Sequence, residues 1–389
     1  MTLYEGIALI QEKQAVVLDL GTDYTKFGFT GEAAPRCIIA SQFWCEAERR
    51  YKRVHDYRTT EELYDNLVQM LHLLYFRHVL VNPKERKVVI VESLLTTTQF
   101  RETLAKVLFM HYEVSGVTWW DSARACAATL GAPVVLVVDI GARDAEVGAV
   151  VYCDINSVCV TSQPLGARAL RARLAQLLDE DAGAPLRLAP AVLEDIQVRT
   201  CFAAPRALAA QLGAGGAGGG AAGAGGGAAG GAVRAVRYPR AAGALAVSGR
   251  ARALPAELLF ARDQELASLP DAVLQCIQMC PIDTRRALAE NILVTGGGAA
   301  LPGLKARLAQ ELRHLVTEYP YHGRLHVARF KFHAAPCEDN ACAWTGAALC
   351  GAAGGARASP RDAFLRAPRL RDWACLLHNT PPHHHHHAP

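Results

Sequence analysis

A short pattern that occurs twice constrains this chain more than any other feature. Asp19-Leu20-Gly21 and Asp139-Ile140-Gly141 each follow a short apolar run that is rich in β-branched residues. A second glycine, Gly28 or Gly148, follows at the same distance in each copy. Such runs predict buried strands, and the Asp-x-Gly that ends them is typical of a hairpin turn. The pattern therefore predicts one strand–turn–strand unit that is used twice.

The residue types at these turns also suit a ligand. Without a Cβ, Gly21 and Gly141 allow the backbone to approach closely, so that successive N–H groups can point at one phosphate. Asp19 and Asp139 at the strand ends are suited to a divalent cation that keeps its water. Each copy alone is better explained as an ordinary hairpin turn. The repetition favours a pair of phosphate-binding loops.

A third segment, residues 291–303, predicts a strand that runs into three glycines and then into a helix. Many α/β proteins make tight turns in this way, so the glycine run alone indicates little. In the order strand, glycine turn, helix, it suits a purine and ribose that lie against bare backbone. Side chains at Gly296, Gly297 and Gly298 would block such a flat ligand.

Together these segments resemble the actin family, within the larger group of actins, sugar kinases and heat-shock ATPases. The resemblance runs from about Gln14 to about Ala352 with two gaps. Residues 27–36 (FGFTGEAAPR) are similar to the actin segment after the first phosphate loop, and residues 341–349 to a late actin helix. The resemblance implies an α/β fold of two lobes with a duplicated core and a nucleotide between strand ends.

Several shorter segments resemble more narrowly the actin-related proteins at the pointed end of dynactin. The resemblance implies a non-catalytic subunit that caps the filament of actin-related protein 1 and contacts dynactin subunits 4, 5 and 6. Such a subunit supports dynein-driven transport along microtubules. The segments are residues 3–6, 74–78, 81–83, 280–285 and 372–375.

One part of the actin pattern is short in this chain. Actins carry a longer segment between the third strand, which here ends near Ser41, and the helix that begins near Thr59. That segment builds a small outer subdomain with the loop that grips the next subunit. Here only residues 42–59 are present. The resemblance therefore implies a reduced outer subdomain and a subunit that terminates a filament.

The resemblance also implies which residues hold a nucleotide. We expect ATP or ADP with Mg²⁺, the metal being held through water by Asp19 and Asp139. The expected nucleotide-binding residues are Asp19, Gly21, Thr22, Lys26, Asp139, Gly141, Gly296, Gly297 and Gly298.

The chain departs from the family at both phosphate loops. Asp23 replaces a glycine, and a poorly screened anion beside phosphates repels them. Lys26, at the family's phosphate-contacting lysine, offsets this charge and is positioned to pair with Asp23. Ala142 and Arg143 replace an Asp-Gly pair, so a carboxylate is lost and a guanidinium is gained. These changes predict weakened nucleotide binding.

Hydrolysis requires an oriented water molecule. Ser122 and Glu146 stand near the positions of the family's water-positioning glutamine and histidine. Ser122 is too short to reach as glutamine does, and Glu146 is either a base or an outward strand residue. We therefore expect no enzymatic turnover. The alternatives are an actin-like ATPase or sugar kinase with Glu146 as its base, or a nuclear actin-related protein of a chromatin-remodelling complex.

Composition limits the function classes. With 389 residues, 51% of them hydrophobic, the chain can bury a large core. Its formal charge of +4 is small and its Lys and Arg are spread, which argues against a dedicated nucleic-acid-binding protein. The densest basic run, residues 49–53, is expected to be a solvated surface loop. No apolar run is long enough for a membrane span, and the N-terminus lacks a basic leader, which predicts a cytoplasmic, cytoskeletal protein.

The cysteines and the C-terminal region complete the expectations. Twelve cysteines without a Cys-x-x-Cys pair predict buried free thiols in a reducing compartment. His383–His387 is typical of a tag or a low-complexity tail. The predicted domains are a first lobe, 1–140, and a second lobe, 141–352, with a flexible Gly/Ala insertion at 213–232. Residues 353–389 form a predicted tail.

Overall fold

The computed structural model describes residues 14–84, 86–155, 157–214, 233–240, 243–262, 267–354 and 358–370. By their contacts, these residues form two compact units. One unit holds the residues up to Gly131 together with those from Ala341 onward, and the other runs from Ala132 to Asn340. Parts of the sequence predictions lie outside the described residues, namely the segments 3–6 and 372–375, the insertion from 215 to 232, and His383–His387.

The elements up to Gly131 begin with five consecutive strands, after which helices and strands alternate. Two helices, α1 and α2, continue directly as π-helical segments, Leu74–Val79 and Val107–His111. In chain order the elements are β1 (Val16–Leu20), β2 (Tyr24–Phe29), β3 (Cys37–Ala40), β4 (Gln42–Cys45), β5 (Arg50–Arg53), α1 (Thr60–Leu73), β6 (Lys87–Glu92), α2 (Thr98–Lys106), β7 (Gly116–Asp121) and α3 (Ser122–Leu130).

The remaining elements belong to the second unit up to Asn340 and then return to the first. They are β8 (Val134–Ile140), β9 (Ala145–Val151), β10 (Asp154–Ile155), β11 (Thr161–Gln163), α4 (Ala167–Ala182), α5 (Pro190–Thr200), α6 (Arg206–Ala214), β12 (Val236–Tyr238), β13 (Leu245–Val247), α7 (Gly249–Ala253), α8 (Leu269–Met279), α9 (Ile282–Ala289), β14 (Ile292–Thr295), α10 (Leu304–Leu315), β15 (Phe332–His333), α11 (Cys342–Ala352), β16 (Ser359–Pro360) and α12 (Arg361–Arg366).

The sheet of the first unit has the order β16-β7-β6-β1-β2-β3 among the described strands. β1 pairs antiparallel with β2 and parallel with β6. Because side chains alternate along a strand, Val16 and Leu18 face one layer and Val17 the other. The first layer packs with α1 and α2, and the second with α11, whose Trp344 is fully buried.

The second unit repeats this arrangement. β8 pairs antiparallel with β9 and parallel with β14, which pairs parallel with β15. The order β9-β8-β14-β15 thus matches β2-β1-β6-β7 of the first unit. The α/β fold with a duplicated core, which the resemblance to actins implied, is confirmed.

The segment between β3 and α1 is a two-stranded hairpin, β4 with β5, of four residues a strand. We call it the outer hairpin (residues 42–53). The expectation that residues 49–53 form a solvated loop is wrong in one part: Arg50–Arg53 is a strand, although Arg49, Arg50 and Tyr51 are exposed as expected. Lys52 is only 7% exposed and pairs with Glu62, and Arg53 pairs with Asp23. Pairing with β4 makes this run a strand, and the two ion pairs tie it to the body of the unit.

The cysteines that the structure describes are all free thiols, as predicted. They are not all buried as expected, since Cys153 is exposed and Cys37, Cys45, Cys337 and Cys350 are partly buried. Among the described helices, none combines the length and apolar character that a bilayer crossing requires.

Candidate functional site

The first loop comprises residues 21–23, between β1 and β2. A Cβ on Gly21 would lie 2.6 Å from the carbonyl oxygen of Tyr24, so the turn itself requires glycine. Ser41 Oγ donates to the carbonyl of Gly21 at 2.6 Å. The backbone N–H of Ser41 donates to the carbonyl of Asp23 at 2.9 Å. Ser41 therefore fixes the shape of the loop from the end of β3.

Lys26 pairs with Asp19, its direct neighbour across the β1–β2 ladder. Nζ lies 2.7 Å from Oδ2, and the two side chains are only 13% and 16% exposed. The predicted pairing of Lys26 with Asp23 is wrong, because the antiparallel register sets Lys26 opposite Asp19. The lysine expected to contact phosphate is thus already occupied by a carboxylate of its own unit.

Asp23 is neutralised by a residue that sequence reasoning missed. The guanidinium of Arg53, at the end of the outer hairpin, lies 2.8 Å from Asp23 Oδ1. This contact reduces the repulsion that Asp23 alone would exert on a phosphate. The only signal in the sequence was the basic run at 49–53, whose spacing to Asp23 says nothing about contact.

The second loop comprises residues 141–144, between β8 and β9. Its turn is closed by the N–H of Gly141, which donates to the carbonyl of Asp144 at 2.9 Å. The first N–H groups of α4, from Ala167 and Arg168, donate to the carbonyls of Gly141 and Ala142 at 3.0 and 2.9 Å. The start of α4 therefore supports this loop.

Gly166, the N-cap of α4, makes that approach possible. A Cβ at this position would lie 2.6 Å from the carbonyl oxygen of Gly141 and 2.7 Å from the carbonyl carbon of Ala142. Sequence reasoning did not select Gly166. The available signal was a glycine directly before a segment whose leucines, Leu170, Leu174 and Leu177, have helical spacing.

Asp139 and Glu146 are directly opposite in the β8–β9 ladder, at the position that Asp19 and Lys26 occupy in the first hairpin. Glu146 is 7% exposed, so the alternative of an outward strand residue is wrong. Facing residues in such a ladder have Cβ atoms about 5 Å apart. The second hairpin thus sets two carboxylates side by side where the first sets an ion pair. Arg143, by contrast, is exposed.

The three glycines after β14 differ in their surroundings. A Cβ on Gly296, whose φ is +90°, would lie 2.3 Å from Asp139 Oδ1. A Cβ on Gly298 would lie 2.4 Å from Ile140 Cγ2, whereas one on Gly297 would meet nothing within 4 Å. Packing against the end of β8 therefore explains two of the glycines, and Gly297 alone leaves open backbone.

The glycine turn is anchored by Asp339. Its carbonyl accepts from Thr295 Oγ1 at 2.7 Å and from the N–H of Gly296 at 3.0 Å. Its carboxylate accepts from Lys305 Nζ at 2.9 and 3.0 Å. These contacts hold the turn rigid from the side opposite β8.

Ser122 begins α3 directly after the N-cap Asp121, whose carboxylate accepts from the N–H of Arg124 at 2.8 Å. Ser122 is 5% exposed, and its Oγ has no hydrogen-bond partner among the described residues. A buried hydroxyl without a partner is costly in the absence of a ligand. Ser122 is thus a polar group available to a bound molecule.

The backbone of these segments fits a nucleotide better than their side chains do. In the first unit, the loop at Gly21 and the hydroxyl of Ser122 suit a phosphorylated ligand. In the second unit, the loop at Gly141 and the open backbone at Gly297 do so. Asp19 is neutralised by Lys26, and within the described residues no group of three or more His, Cys, Asp or Glu side chains could hold a metal ion. The predicted cation site of Asp19 and Asp139, which lie in different units, stays a prediction.

Comparison with known proteins identifies relatives across most of the chain. Actin-related protein 2 of Arabidopsis thaliana is 24% identical over 335 residues, which cover 78% of this chain and 82% of that protein. Actin-related protein 3 of Drosophila melanogaster is 24% identical over 348 residues, covering 78% and 81%.

The model of the actin family matches residues 10–200 and 239–359. The unmatched stretch between these ranges contains the predicted Gly/Ala insertion. The matched residues include both Asp-x-Gly hairpins and the glycine turn, in the two units that repeat one strand order. The chain therefore belongs to the actin family.

Proposed function

We propose that this chain is a non-catalytic actin-related subunit of dynactin, of the type called actin-related protein 10 or 11. In this role it caps the pointed end of the filament of actin-related protein 1 and links it to dynactin subunits 4, 5 and 6. The protein is then cytoplasmic and serves dynein-driven transport along microtubules. The observation that supports this proposal best is the outer hairpin.

The outer hairpin is short, and it is bound to the body of its own unit. Lys52 pairs with Glu62 of α1, and this hydrogen bond raises the pKa of Lys52 above its usual value. Arg53 pairs with Asp23 of the first loop. In actins the longer segment at this place carries the loop that grips the next subunit. A hairpin held in this way leaves no free segment for that grip.

A subunit of this kind accepts a neighbour on one side and offers little to a neighbour on the other. Addition at the end of a filament therefore stops further growth there. The segments that resemble the dynactin type support the same role, and one of them presents Phe76, which is 45% exposed, on the π-helical continuation of α1.

The backbone at the loops supports nucleotide binding, and the side chains there do not support efficient hydrolysis. Lys26 is engaged with Asp19, and Glu146 and Ser122 replace the residues expected to orient the water. ATP or ADP with Mg²⁺ then serves as a structural ligand. A ligand that binds only the native state stabilises it by mass action.

Growth of purified actin-related protein 1 filaments, with their two ends distinguished by a labelled seed, tests the proposal. We expect substoichiometric chain to stop elongation at the pointed end and to leave the barbed end unaffected. Conventional actin, which carries the complete outer loop, is the control and should not block growth. Binding along filament sides, or incorporation without an end block, would contradict the proposal.

Affinity purification from cytosol tests the partners separately. We expect recovery of actin-related protein 1 with dynactin subunits 4, 5 and 6. Recovery with nuclear remodelling proteins instead would support the chromatin alternative.

A further inference from the structure

Three buried thiols meet in the core of the second unit. Cys159 lies in a short 3-10 turn, Cys276 on α8, and Cys280 caps the C-terminus of that helix. Their exposures are 2%, 0% and 1%. The thiol of Cys280 shares hydrogen bonds with both other thiols, and the surrounding core residues are predominantly apolar.

The positions of two of these thiols suit a covalent link. Cys276 and Cys280 are one helical turn apart and therefore lie on the same face of α8. Four residues of helix rise about 6 Å. This spacing lies within the range of Cα separations that disulfides span, about 4.4–6.8 Å. The Cβ atoms of residues on consecutive turns are about 5–6 Å apart, so the end of the helix must adjust for the bond to form.

Arg285 makes the end of α8 favourable for a negative charge. Its Nε donates to the carbonyl of Cys280 at 2.9 Å, and a terminal nitrogen donates to the carbonyl of Gln278 at 2.7 Å. The carbonyls at a helix C-terminus disfavour an anion, and here a guanidinium binds two of them. A cation is thus hydrogen-bonded to the backbone carbonyl of Cys280 at this helix end.

Cys280 is the most acidic of the three thiols, and the other two donate hydrogen bonds to it. Hydrogen bonding from Cys276 lowers the pKa of Cys280 despite its burial, and Cys159 and Arg285 act in the same direction. The pKa of Cys276 is raised by its hydrogen bond with Cys280 and by burial, and the pKa of Cys159 is raised by burial and by its hydrogen bond with Cys280. A thiolate, the nucleophilic form of cysteine, is therefore favoured at Cys280 and flanked by protonated thiols.

The cluster is not arranged for a metal ion, because no described group of three or more ligating side chains could hold one. The residues on either side of Cys280 reach the surface: Met279 is 51% exposed, and Pro281 is exposed as well. Cys280 is thus one residue from solvent on the Met279 side. A small oxidant needs only a local opening at the junction of α8 and α9 to reach it.

We propose that these thiols form a peroxide-reactive site in which Cys280 is oxidised first and a neighbouring thiol, Cys276 or Cys159, resolves it as a disulfide. The Cys280 thiolate attacks one oxygen of hydrogen peroxide, the O–O bond breaks, and the departing hydroxide takes a proton to become water. The neighbouring thiol then loses its proton, attacks the sulfenic sulfur, and displaces a second hydroxide that becomes water. Two thiols and one peroxide give one disulfide and two waters.

Peptide mapping of the folded, full-length chain tests the site. The chain is treated with hydrogen peroxide, its free thiols are alkylated, and it is digested with trypsin without reductant. Cys276 and Cys280 remain in one peptide, residues 263–285, and Cys159 in the peptide 144–168. We expect a disulfide through Cys280, seen as the loss of two hydrogen atoms or as a link between the two peptides.

The exposed Cys153, in the same peptide as Cys159, is the internal control. Oxidation of Cys153 while all three cluster thiols remain alkylatable would overturn the proposal. So would a disulfide through Cys280 that forms only in denaturant.

Two variants keep the test independent of folding. Cys280→Ala should lose the disulfide, and Cys153→Ala should retain it, with circular dichroism as the check of the fold. If Cys280→Ala does not fold, the double variant Cys159→Ala/Cys276→Ala leaves Cys280 without a resolving thiol. Its sulfenic acid should then accumulate and react with dimedone, and the absence of this adduct would refute the role of Cys280.

Discussion

At the scale of single residues, the glycine run after β14 shows that one sequence motif can contain two kinds of glycine. Gly296 and Gly298 are required by contacts with Asp139 and Ile140. Gly297 has open space where a side chain would be. Of the three, only Gly297 therefore tests the idea of a ligand lying on bare backbone.

Substitutions at neighbouring glycines separate folding from binding. Gly296→Ala should lower the free energy of unfolding by about 2 kcal/mol, because alanine is strained at positive φ and its Cβ meets a carboxylate oxygen. Gly297→Ala should change it by less than about 0.5 kcal/mol. Urea unfolding measures both.

The same pair is then compared for nucleotide binding by titration with fluorescent ATP. We expect Gly297→Ala to weaken binding although its stability is normal. Normal affinity in Gly297→Ala and in a bulkier Gly297→Val would show that no ligand lies on this turn.

The charged side chains at the first loop also show what the sequence leaves undetermined about single residues. The types of Asp19, Lys26 and Asp23 were read from the sequence, but their pairing was not. The ladder register assigns Lys26 to Asp19, and the outer hairpin brings Arg53 to Asp23.

At the scale of elements, α11 packs on α3 through a glycine. A Cβ on Gly346 would lie 1.7 Å from the carbonyl oxygen of Ala125. Nearby, Trp344 Nε1 donates to the carbonyl of Val17 at 3.1 Å, and its ring covers Gly28. The two segments that carried the resemblance to actins are therefore parts of one packing interface within the first unit.

Gly346→Ala should destabilise the protein by about 3 kcal/mol or more, because α11 cannot approach α3 without displacing backbone. Leu349→Ala, on the exposed side of the same helix, is the matched control and should have a small effect. Thermal or urea unfolding gives both values. Equal stability of the two variants would contradict the close crossing.

The start of α8 is held by a buried carboxylate. Asp271 accepts from Arg262 at 2.8 and 2.6 Å and from Tyr321 Oη at 3.0 Å. Burial by itself raises the pKa of Asp271, but the hydrogen bonds from Arg262 and Ser268 outweigh it and hold this pKa below 3.8. The ionised carboxylate is therefore the form that the fold stabilises.

Asp271→Asn should lower the free energy of unfolding by about 2 kcal/mol at neutral pH. The loss is limited because the side chain of Arg262 is two-fifths exposed. The pKa of Asp271 is lower in the folded state than in the unfolded state. The stabilisation is therefore complete at pH values above the unfolded-state pKa and is lost as the pH falls through the folded-state pKa. Urea unfolding of the wild type and the variant should therefore converge towards low pH. Asp283→Asn, at an exposed carboxylate, should show neither effect.

At the scale of the whole molecule, the proposed role needs no chemical turnover. We expect phosphate release from ATP to stay at background, and Glu146→Ala to leave it unchanged. A coupled phosphate assay, with conventional actin as the positive control, measures this. Release that falls in Glu146→Ala would instead favour the actin-like ATPase.

The two units show how much of the fold local sequence patterns predict. The hairpins around Asp19 and Asp139, the glycine turn and the main helices were predictable because strand period, capping and turn chemistry act within a few residues. The duplication was predictable because the same local pattern occurs twice. Membership of the actin family follows from these segments in their order along the chain.

Only the tertiary structure decided which of these residues meet. Arg53 neutralises Asp23, and Gly166 allows α4 to approach the second loop. α11 packs on the sheet of the first unit although it follows the whole second unit in sequence. Each of these contacts joins residues far apart in the chain. The closeness of such residues depends on how strands register and layers pack, and no local pattern specifies that.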